Sequence, residues 1–358
     1  MESSNMKKIK AGIIGLRHLH PTSYMAHFNA MEEVDVVAVA ESHTPLCESF
    51  AQQHRLKPYG SWKDMLDHEE MDLVAIFLPH VDCPEAAIYA AEKGVHLLIE
   101  KPMTADSTSA MKIVQKASEK NIGLTTPYVW RYHPVVGDIR RLIADGILGR
   151  IIGCEGRCAA GRLERYIEGG SEWMLDATKS GGGPMYNLGV HWIDLFSYML
   201  DDHVRNALGK NVKVNDEYNI EDNSFAILTF ESGVTLNLDI SYTVPDSFPH
   251  GRDLYIGIRG TKGVISWAPA YEGEKDELFI CSDHPSFAGA PRQTRTYEIQ
   301  LTAGYSGIMG LDYLRDVADA VIGNVKMPIT GEEGAYVLRV VEAVYASAES
   351  KTIVNVKK

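Results

Sequence analysis

The first third of the chain alternates short apolar runs with amphipathic segments, and no other feature constrains the fold as strongly. Five runs lack the period-two alternation of a half-exposed strand, as expected of strands buried on both faces. These predicted strands cover residues 9–14, 34–40, 73–78, 95–100 and 123–127, and the predicted helices cover about 21–31, 46–54, 83–93 and 107–120. Such a strand–helix–strand order requires a parallel sheet with helices on both sides.

The pattern changes after about residue 125. Runs at 223–230, 235–242 and 254–258 alternate apolar and polar residues, and Gly233 lies between the first two, as in a hairpin. Alternation of this kind is typical of an antiparallel sheet with one open face. A strand is also predicted at 151–158, and helices at about 135–145, 191–200, 308–322 and 332–350. We therefore predict an α/β doubly wound (Rossmann) domain over residues 1–124. An α+β domain with a mostly antiparallel open sheet is predicted over residues 125–358.

Composition excludes several classes of protein. A chain of 358 residues with 45% hydrophobic and 23% charged residues is typical of a globular protein with about two domains. The net charge of −13 argues against nucleic acid and anionic membrane surfaces as partners. Residues 1–10 are polar and precede no secretory-length apolar run, no stretch reaches about 18 apolar residues, and the five cysteines form no CxxC pair. These features predict a soluble cytoplasmic protein.

The first predicted strand leads into a turn where a doubly wound fold binds pyrophosphate at a helix N-terminus. In a G-x-G-x-x-G alignment, Gly15 holds the first glycine position, whereas Arg17 and His20 hold the second and third. The second glycine normally allows close approach of the backbone to the pyrophosphate, and the third allows close packing of helix and strand. The motif is therefore one-third complete, with Arg17 and His18 as candidate cofactor contacts.

Other residues support a dinucleotide site. Pro21 suits the first position of a helix, and the hydroxyls of Thr22 and Ser23 could donate to a phosphate. Glu41 ends the second predicted strand, 26 positions after Gly15, near the spacing of the acidic residue that binds the adenosine ribose. Because a carboxylate repels a 2′-phosphate, Glu41 favours NAD over NADP.

The strongest signal is the triplet Glu100-Lys101-Pro102, which closes a buried strand and places a lysine at the ligand-binding edge of a parallel sheet. Later segments follow in order: Trp130-Arg131-Tyr132-His133-Pro134, Trp173, Gly181-Gly182-Gly183, Gly189-Val190-His191-Trp192-Ile193-Asp194 and Gly260-Thr261-Lys262-Gly263. Over nearly its whole length the chain resembles the Gfo/Idh/MocA oxidoreductases, which include glucose-fructose oxidoreductase and inositol dehydrogenases.

The resemblance implies the following catalytic roles. Lys101 matches the lysine near the nicotinamide and the substrate hydroxyl, and His191 matches the histidine that acts with it in proton transfer. Dehydrogenases of the family usually have an aspartate four residues before that histidine, where this chain has Asn187. An amide can orient a hydroxyl but cannot take its proton, so proton transfer is left to His191 or Lys101.

Further contacts are expected around this centre. Pro79, His80 and Glu100 are candidate cofactor contacts, although Cys83 stands where the family has a histidine. The candidate substrate contacts, besides His191, are Arg131, Tyr132, Trp173 and Asp176.

We therefore expect an NAD-dependent oxidoreductase that acts on a sugar, sugar derivative or cyclitol, with no metal. A homodimer or homotetramer through the open face of the second sheet is expected. Two alternatives stay open. One is a non-catalytic sugar- or nucleotide-binding protein. The other is a metal-assisted enzyme that uses His18, His20 and His80, with Cys83 or His191 as a further ligand.

Overall fold

A computed structural model describes residues 8–161, 163–245, 247–270, 273–323 and 325–357. Its first sheet has six parallel strands in the order β3-β2-β1-β4-β5-β6, which confirms the predicted Rossmann-like architecture. The strands are β1 (Ile9–Ile14), β2 (Val34–Ala40), β3 (Lys57–Tyr59), β4 (Leu73–Ile76), β5 (His96–Ile99) and β6 (Leu124–Thr125). The five predicted strands are present, and β3 is an additional edge strand.

Helices connect these strands. They are α1 (Pro21–Phe28), α2 (Thr44–His54), α3 (Trp62–His68), α4 (Cys83–Glu92) and α5 (Ser107–Lys120). Helix α1 ends three residues earlier than predicted, and α3 was not predicted. The N-cap side chains of Ser61 and Asp106 accept hydrogen bonds from backbone amides in the first turns of α3 and α5. These bonds stabilise the helix starts, where the amides have no acceptor within the helix.

The second sheet has nine strands in the order β14-β13-β12-β11-β7-β10-β9-β8-β15. They are β7 (Ile151–Ala160), β8 (Val204–Val212), β9 (Asn223–Phe230), β10 (Thr235–Ser241), β11 (Arg252–Gly260), β12 (Gly263–Trp267), β13 (Lys275–Ser282), β14 (Arg292–Glu298) and β15 (Val354–Asn355). All described pairs are antiparallel except β7 with β10, so the mostly antiparallel sheet is confirmed. The predicted domain boundary, between residues 124 and 125, lies within β6 of the first sheet and stays a prediction.

Helices cover one face of this sheet and the junction with the first domain. They are α6 (Pro134–Ala144), α7 (Glu164–Glu168), α8 (Ala177–Ser180), α9 (Val190–Leu200), α10 (Gly307–Gly323) and α11 (Gly331–Ser350), and a π-helical turn at Met185–Gly189 precedes α9. None of the described helices combines the length and apolar character that a membrane crossing needs.

Packing between α9 and β7 fixes the position of the predicted histidine. A Cβ at Gly156 of β7 would lie 2.6 Å from the Trp192 side chain and 2.7 Å from that of Phe196. The absence of a side chain at Gly156 therefore lets α9 lie close against the sheet. This close packing holds His191, next to Trp192, at the edge that faces the first domain.

Candidate active site

The carboxyl end of β5 faces the π-helical turn and α9 across a cleft between the two sheets. A cavity of about 760 Å³ lies there, and Lys101, Asn187 and His191 all line it. Residues predicted from two separate motifs thus share one cavity, at the sheet edge where parallel α/β folds bind ligands.

Lys101 is buried, and its ammonium group is held by one residue. Its Nζ donates to the backbone oxygen of Asn187 at 3.0 Å and to Oδ1 of Asn187 at 2.8 Å. Burial lowers the pKa of Lys101 to about 8, because desolvation penalises the charged form, and the nearby charges of Arg165 and Arg252 act in the same direction. An appreciable fraction of Lys101 is therefore a neutral amine, able to take a proton, at mildly alkaline pH.

Glu100 anchors the segment that carries this lysine. Its Oε1 accepts a hydrogen bond from the Lys101 amide at 2.9 Å, and its Oε2 lies 3.1 Å from Nδ1 of His20. Burial alone would raise the pKa of Glu100, but the interactions with His20, His18 and Lys101 together outweigh burial and lower this pKa to about 2. Glu100 is thus a fixed carboxylate that opposes part of the effect of burial on Lys101.

Both polar atoms of the Asn187 side chain, Oδ1 and Nδ2, are hydrogen-bonded to residues of the site. Its Oδ1 accepts from Lys101, and its Nδ2 donates to the hydroxyls of Tyr166 at 2.5 Å and Tyr242 at 3.0 Å. Because an ammonium can only donate, Oδ1 must be the atom that faces Lys101. The amide therefore orients the lysine without competing for its proton.

His191 presents an unpartnered nitrogen. Its side chain is buried, and Nδ1 has no hydrogen-bond partner within the described part of the chain. Burial, together with Lys101 and His20, lowers the pKa of His191 well below its ordinary value. The imidazole is consequently neutral at physiological pH and can hydrogen-bond a ligand hydroxyl.

Four further polar residues belong to this site and were not predicted from the sequence: Arg165, Tyr166, Tyr242 and Arg252. Arg165 and Tyr166 lie on α7, Tyr242 directly follows β10, and Arg252 begins β11. No motif connects them, and only the pairing of β7 with β10 and β11 brings their segments together.

The turn after β1 has the backbone that a dinucleotide site requires. Gly15 has φ +85°, and a Cβ there would lie 3.0 Å from the backbone of Phe77, so only glycine fits without strain. The amides of Arg17, His18 and Leu19 donate to no acceptor among the described residues. Consecutive free amides of this kind can bind a phosphate.

The side chains at the two substituted glycine positions do not block this turn. The guanidinium of Arg17 is exposed and lies 3.5 Å from the carboxylate of Glu172. The ring of His20 turns toward Glu100 and packs against Tyr305, with 4.2 Å between the ring centroids. Both side chains are therefore engaged by residues outside the turn.

Glu41 lies beside this turn at the end of β2. Its Oε2 accepts the amide of Leu16 at 2.8 Å, and its Oε1 accepts the amide of His43 at 2.9 Å. Both Gly15 and Glu41 line a second cavity of about 610 Å³, whose wall also contains Trp62, Asp82 and Glu85. An acidic cavity at this position fits a ribose with free hydroxyls.

The remaining predicted cofactor residues surround the same strand ends. Thr22 is exposed in the first turn of α1, and Pro79 directly precedes His80 in the loop after β4. The Nδ1 of His80 donates to the Ser180 carbonyl at 2.7 Å, and Nε2 of His80 and of His18 are buried without partners in the described structure. Such orphaned nitrogens are expected where a ligand completes a site.

Four of the predicted substrate contacts do not line the cavity, and their role stays a prediction: Arg131, Tyr132, Trp173 and Asp176. Arg131 is held by Asp194 of α9 at 2.5 Å and Glu333 of α11 at 2.7 Å. Tyr132 donates to Asp316 at 2.7 Å. Asp176 caps α8 by accepting from the amide of Thr178.

Trp173, the fourth predicted contact, is buried between the two domains. Its Nε1 donates to the carbonyl of Arg17 at 2.6 Å, and its ring packs against those of His18 and His80, with centroid distances of 5.9 and 4.8 Å. Trp173 therefore supports the loops of the nucleotide-binding turn from the side of the second domain.

The histidines near the strand ends do not form a metal centre in the part of the chain that the structure describes, where no three His, Cys, Asp or Glu side chains are grouped as ligands. Burial raises the pKa of the Cys83 thiol far above its ordinary value. A protonated thiol is a poor metal ligand.

Comparison with known proteins identifies the family. The family model described as the oxidoreductase family, NAD-binding Rossmann fold, matches residues 9–127, and the one described as its C-terminal alpha/beta domain matches residues 140–356. The chain belongs to the Gfo/Idh/MocA oxidoreductase family. The resemblance seen in the sequence motifs is thereby confirmed.

Relatives within the Gfo/Idh/MocA family align over almost the full chain. D-xylose 1-dehydrogenase (NADP(+)) 2 of Haloferax volcanii is 22% identical over 96% of this chain and 98% of its own length. D-glucoside 3-dehydrogenase of Escherichia coli is 23% identical over 97% of each chain. Levoglucosan dehydrogenase, solved with NADH and levoglucosan, superposes with a TM-score of 0.84 at 19% identity and covers 98% of this chain and 100% of its own. This structural likeness shows the fold.

Proposed function

We propose that this protein is an NAD-dependent dehydrogenase or reductase that acts on a hydroxyl-bearing carbon of a sugar, sugar derivative or cyclitol. The observation that carries the proposal is the convergence of Lys101 and His191 in one cavity at the ligand-binding edge of the Rossmann sheet. Relatives named as dehydrogenases of D-xylose and D-glucosides support a sugar-like substrate.

Lys101 is the group we assign to proton transfer. The chemistry that a bound nicotinamide supplies is hydride transfer, and oxidation of an alcohol also releases a proton. A neutral Lys101 can take that proton because its pKa is about 8. Asn187 holds the amine in place through Oδ1 and its carbonyl, and the neutral His191 positions the reacting hydroxyl.

Glu41 favours NAD over NADP. Its carboxylate is fixed by the amides of Leu16 and His43, so it cannot swing away from the ribose position without losing both hydrogen bonds. A 2′-phosphate beside it would meet a negative charge, and Asp82 and Glu85 line the same cavity. Like-charge contacts of this kind disfavour the phosphorylated cofactor.

The test is a screen of aldoses, sugar acids, glycosides and inositols with NAD and NADP, read as absorbance of the reduced nicotinamide and as a shift in melting temperature. We expect NAD to raise the melting temperature through binding to the native state and at least one compound to be oxidised. The variant Glu41→Ala should lower the NAD to NADP ratio of kcat/KM by about tenfold, since a charge contact contributes about 1.4 kcal/mol or more.

The matched control is Glu48→Ala, which removes an exposed carboxylate from α2 and should leave cofactor preference unchanged. If neither dinucleotide shifts the melting temperature, the proposal is wrong. Stabilisation by NAD without turnover of any compound would instead support the non-catalytic alternative.

We further propose a cytoplasmic homodimer or homotetramer that assembles through the nine-stranded sheet. Exposed apolar side chains lie on the sheet face away from the helices: Leu208, Phe225, Ile227, Val264 and Phe279. Several exposed apolar side chains on one sheet face favour association. All five cysteines are free thiols, which supports a reducing compartment.

A further inference from the structure

We propose that the substrate carries an anionic group, a carboxylate or a phosphate, that is bound by Arg165 and Arg252. The inference rests on the proposed function and narrows its substrate class from sugars in general to acidic sugars or sugar phosphates. Neither arginine belongs to the motifs that identify the family.

The two arginines lie on neighbouring elements at one end of the cavity. Arg165 is in the first turn of α7, and Arg252 begins β11, where it pairs with Ala160 at the end of β7. Both side chains are part-buried and line the cavity that contains Lys101. The guanidinium groups are thus presented to the same bound molecule as the proton-transfer residue.

Cationic side chains line the cavity, and they are Lys101, Arg165 and Arg252. Among the lining residues that the structure describes, three are permanent or partial cations and none is acidic. The nearby carboxylate of Glu100 is engaged by His20 and by the Lys101 amide. Arg165 and Arg252 both lower the pKa of Lys101, which places the three charges within electrostatic reach of one another.

An anion that enters the cavity is attracted by these cationic side chains. The whole protein carries a net charge of −13. The cationic lining of the cavity is therefore a local feature and not a property of the whole surface. Both arginines also have partners within the chain. A guanidinium group has five N–H donors, so it can keep such a partner and still bind a carboxylate or phosphate.

Tyr166 connects the arginine end of the cavity to the proton-transfer end. Its hydroxyl oxygen accepts from Nη2 of Arg165 at 2.7 Å and from Nδ2 of Asn187 at 2.5 Å. Tyr166 also takes part in a hydrogen bond with Tyr242. An oxygen atom of a sugar acid or sugar phosphate is a suitable acceptor between Arg165 and Lys101.

The experiment compares matched compounds by calorimetric titration in the presence of NAD. Each pair differs only in the acidic group: D-glucose with D-glucuronate, D-galactose with D-galacturonate, and D-glucose with D-glucose 6-phosphate. In at least one pair we expect the anion to bind about tenfold or more tightly than the neutral sugar. Arg165→Gln and Arg252→Gln should each remove most of that preference while NAD still raises the melting temperature.

Arg157→Gln is the matched control. Arg157 lies on β7, and its Nε is 2.8 Å from Asp253. It does not line the cavity, so its loss should leave the preference intact. The two pairs with a sugar acid test for recognition of a carboxylate, and the pair with D-glucose 6-phosphate tests for recognition of a phosphate. Tighter binding of the anion in either kind of pair supports the proposal.

Three outcomes overturn the inference: no anion in the panel binds, neutral sugars bind as tightly as their anions, or the preference survives in both arginine variants. The proposed function is judged separately, by turnover. NAD-dependent oxidation of neutral sugars with no anion preference would leave the function standing and remove this inference. Arginine-dependent binding of anions without any turnover would support this inference and contradict the proposed enzymatic function.

Discussion

At the scale of single residues, burial gives Lys101 its reactivity and also makes it costly for the fold. Its pKa is about 8 in the folded chain against an ordinary value of 10.5. Below about pH 8 the folded state therefore holds an ammonium that the unfolded chain solvates better. This penalty is relieved as the pH rises from about 8 toward 10.5, so the contribution of Lys101 to stability increases across that range.

Asn187 gives a direct way to change the pKa of the lysine. In Asn187→Asp a carboxylate replaces the amide oxygen that lies 2.8 Å from Nζ. An opposite charge at this distance favours the ammonium form and raises the pKa of Lys101. We expect the alkaline rise in kcat/KM for oxidation to move upward by about one pH unit or more, measured as a pH profile with saturating NAD.

Asn219→Asp is the control for that substitution, because Asn219 is exposed and bonds to Asp176 outside the cavity. Its pH profile should match that of the unmodified protein. A profile for Asn187→Asp that is unshifted, or shifted toward acid, would mean that Lys101 is not the group that titrates.

Residues carried by local motifs could be placed from the sequence, whereas residues brought together only by tertiary structure could not. The segments around Lys101 and His191 provide a strand end and a helix, which fix the edge of the sheet where each side chain lies. Arg165 and Arg252 are separated by 87 positions and have no local signal. The substrate role expected of Arg131 stays a prediction, and the buried carboxylate of Asp194, which no local motif announces, holds its guanidinium.

At the scale of elements, strands with continuous apolar runs were predictable, and short polar strands were not. Strand β2 lies at the predicted residues 34–40, and its last three residues, Ala38, Val39 and Ala40, are fully buried. Strand β3 has three residues, Lys57, Pro58 and Tyr59, and all are at least partly exposed. A proline and so little burial are tolerated only in an edge strand. A strand of this kind has no apolar run by which the sequence could reveal it.

The open face of the second sheet predicts the oligomeric state. Phe225 and Ile227 of β9 are exposed at 40% and 44%, and Leu208 of β8 lies opposite Ile227. If this face forms the interface, Phe225→Asp combined with Ile227→Asp should place charges in an apolar contact and dissociate the assembly. We expect light scattering to give a monomer mass of about 39.6 kDa for this variant and a multiple of it for the unmodified protein.

The control places the same charges on a different exposed apolar pair, Ile322→Asp with Val325→Asp, at the end of α10. These substitutions should not change the mass. A monomeric unmodified protein, or an assembly that withstands the β9 substitutions, would contradict an interface at this face.

At the scale of the whole molecule, the site depends on how two domains are held against each other. Glu100 and Lys101 come from the first domain, and Asn187 and His191 from the second. Contacts that cross the cleft fix their separation: Trp173 donates to the carbonyl of Arg17, and His80 donates to that of Ser180. The two-domain organisation could be predicted from the change in sequence pattern, but these contacts join loops whose conformations no pattern specifies.

The central claim is that Lys101 transfers the proton while other groups bind the nucleotide, and Lys101→Met tests it most directly. The variant keeps the length of the side chain and removes the amine. We expect the melting shift with NAD to be retained and kcat to fall by about 100-fold or more, as for loss of a general base. If Lys101→Met binds NAD normally and turns over its substrate at the unmodified rate, the proposed role of the lysine is wrong.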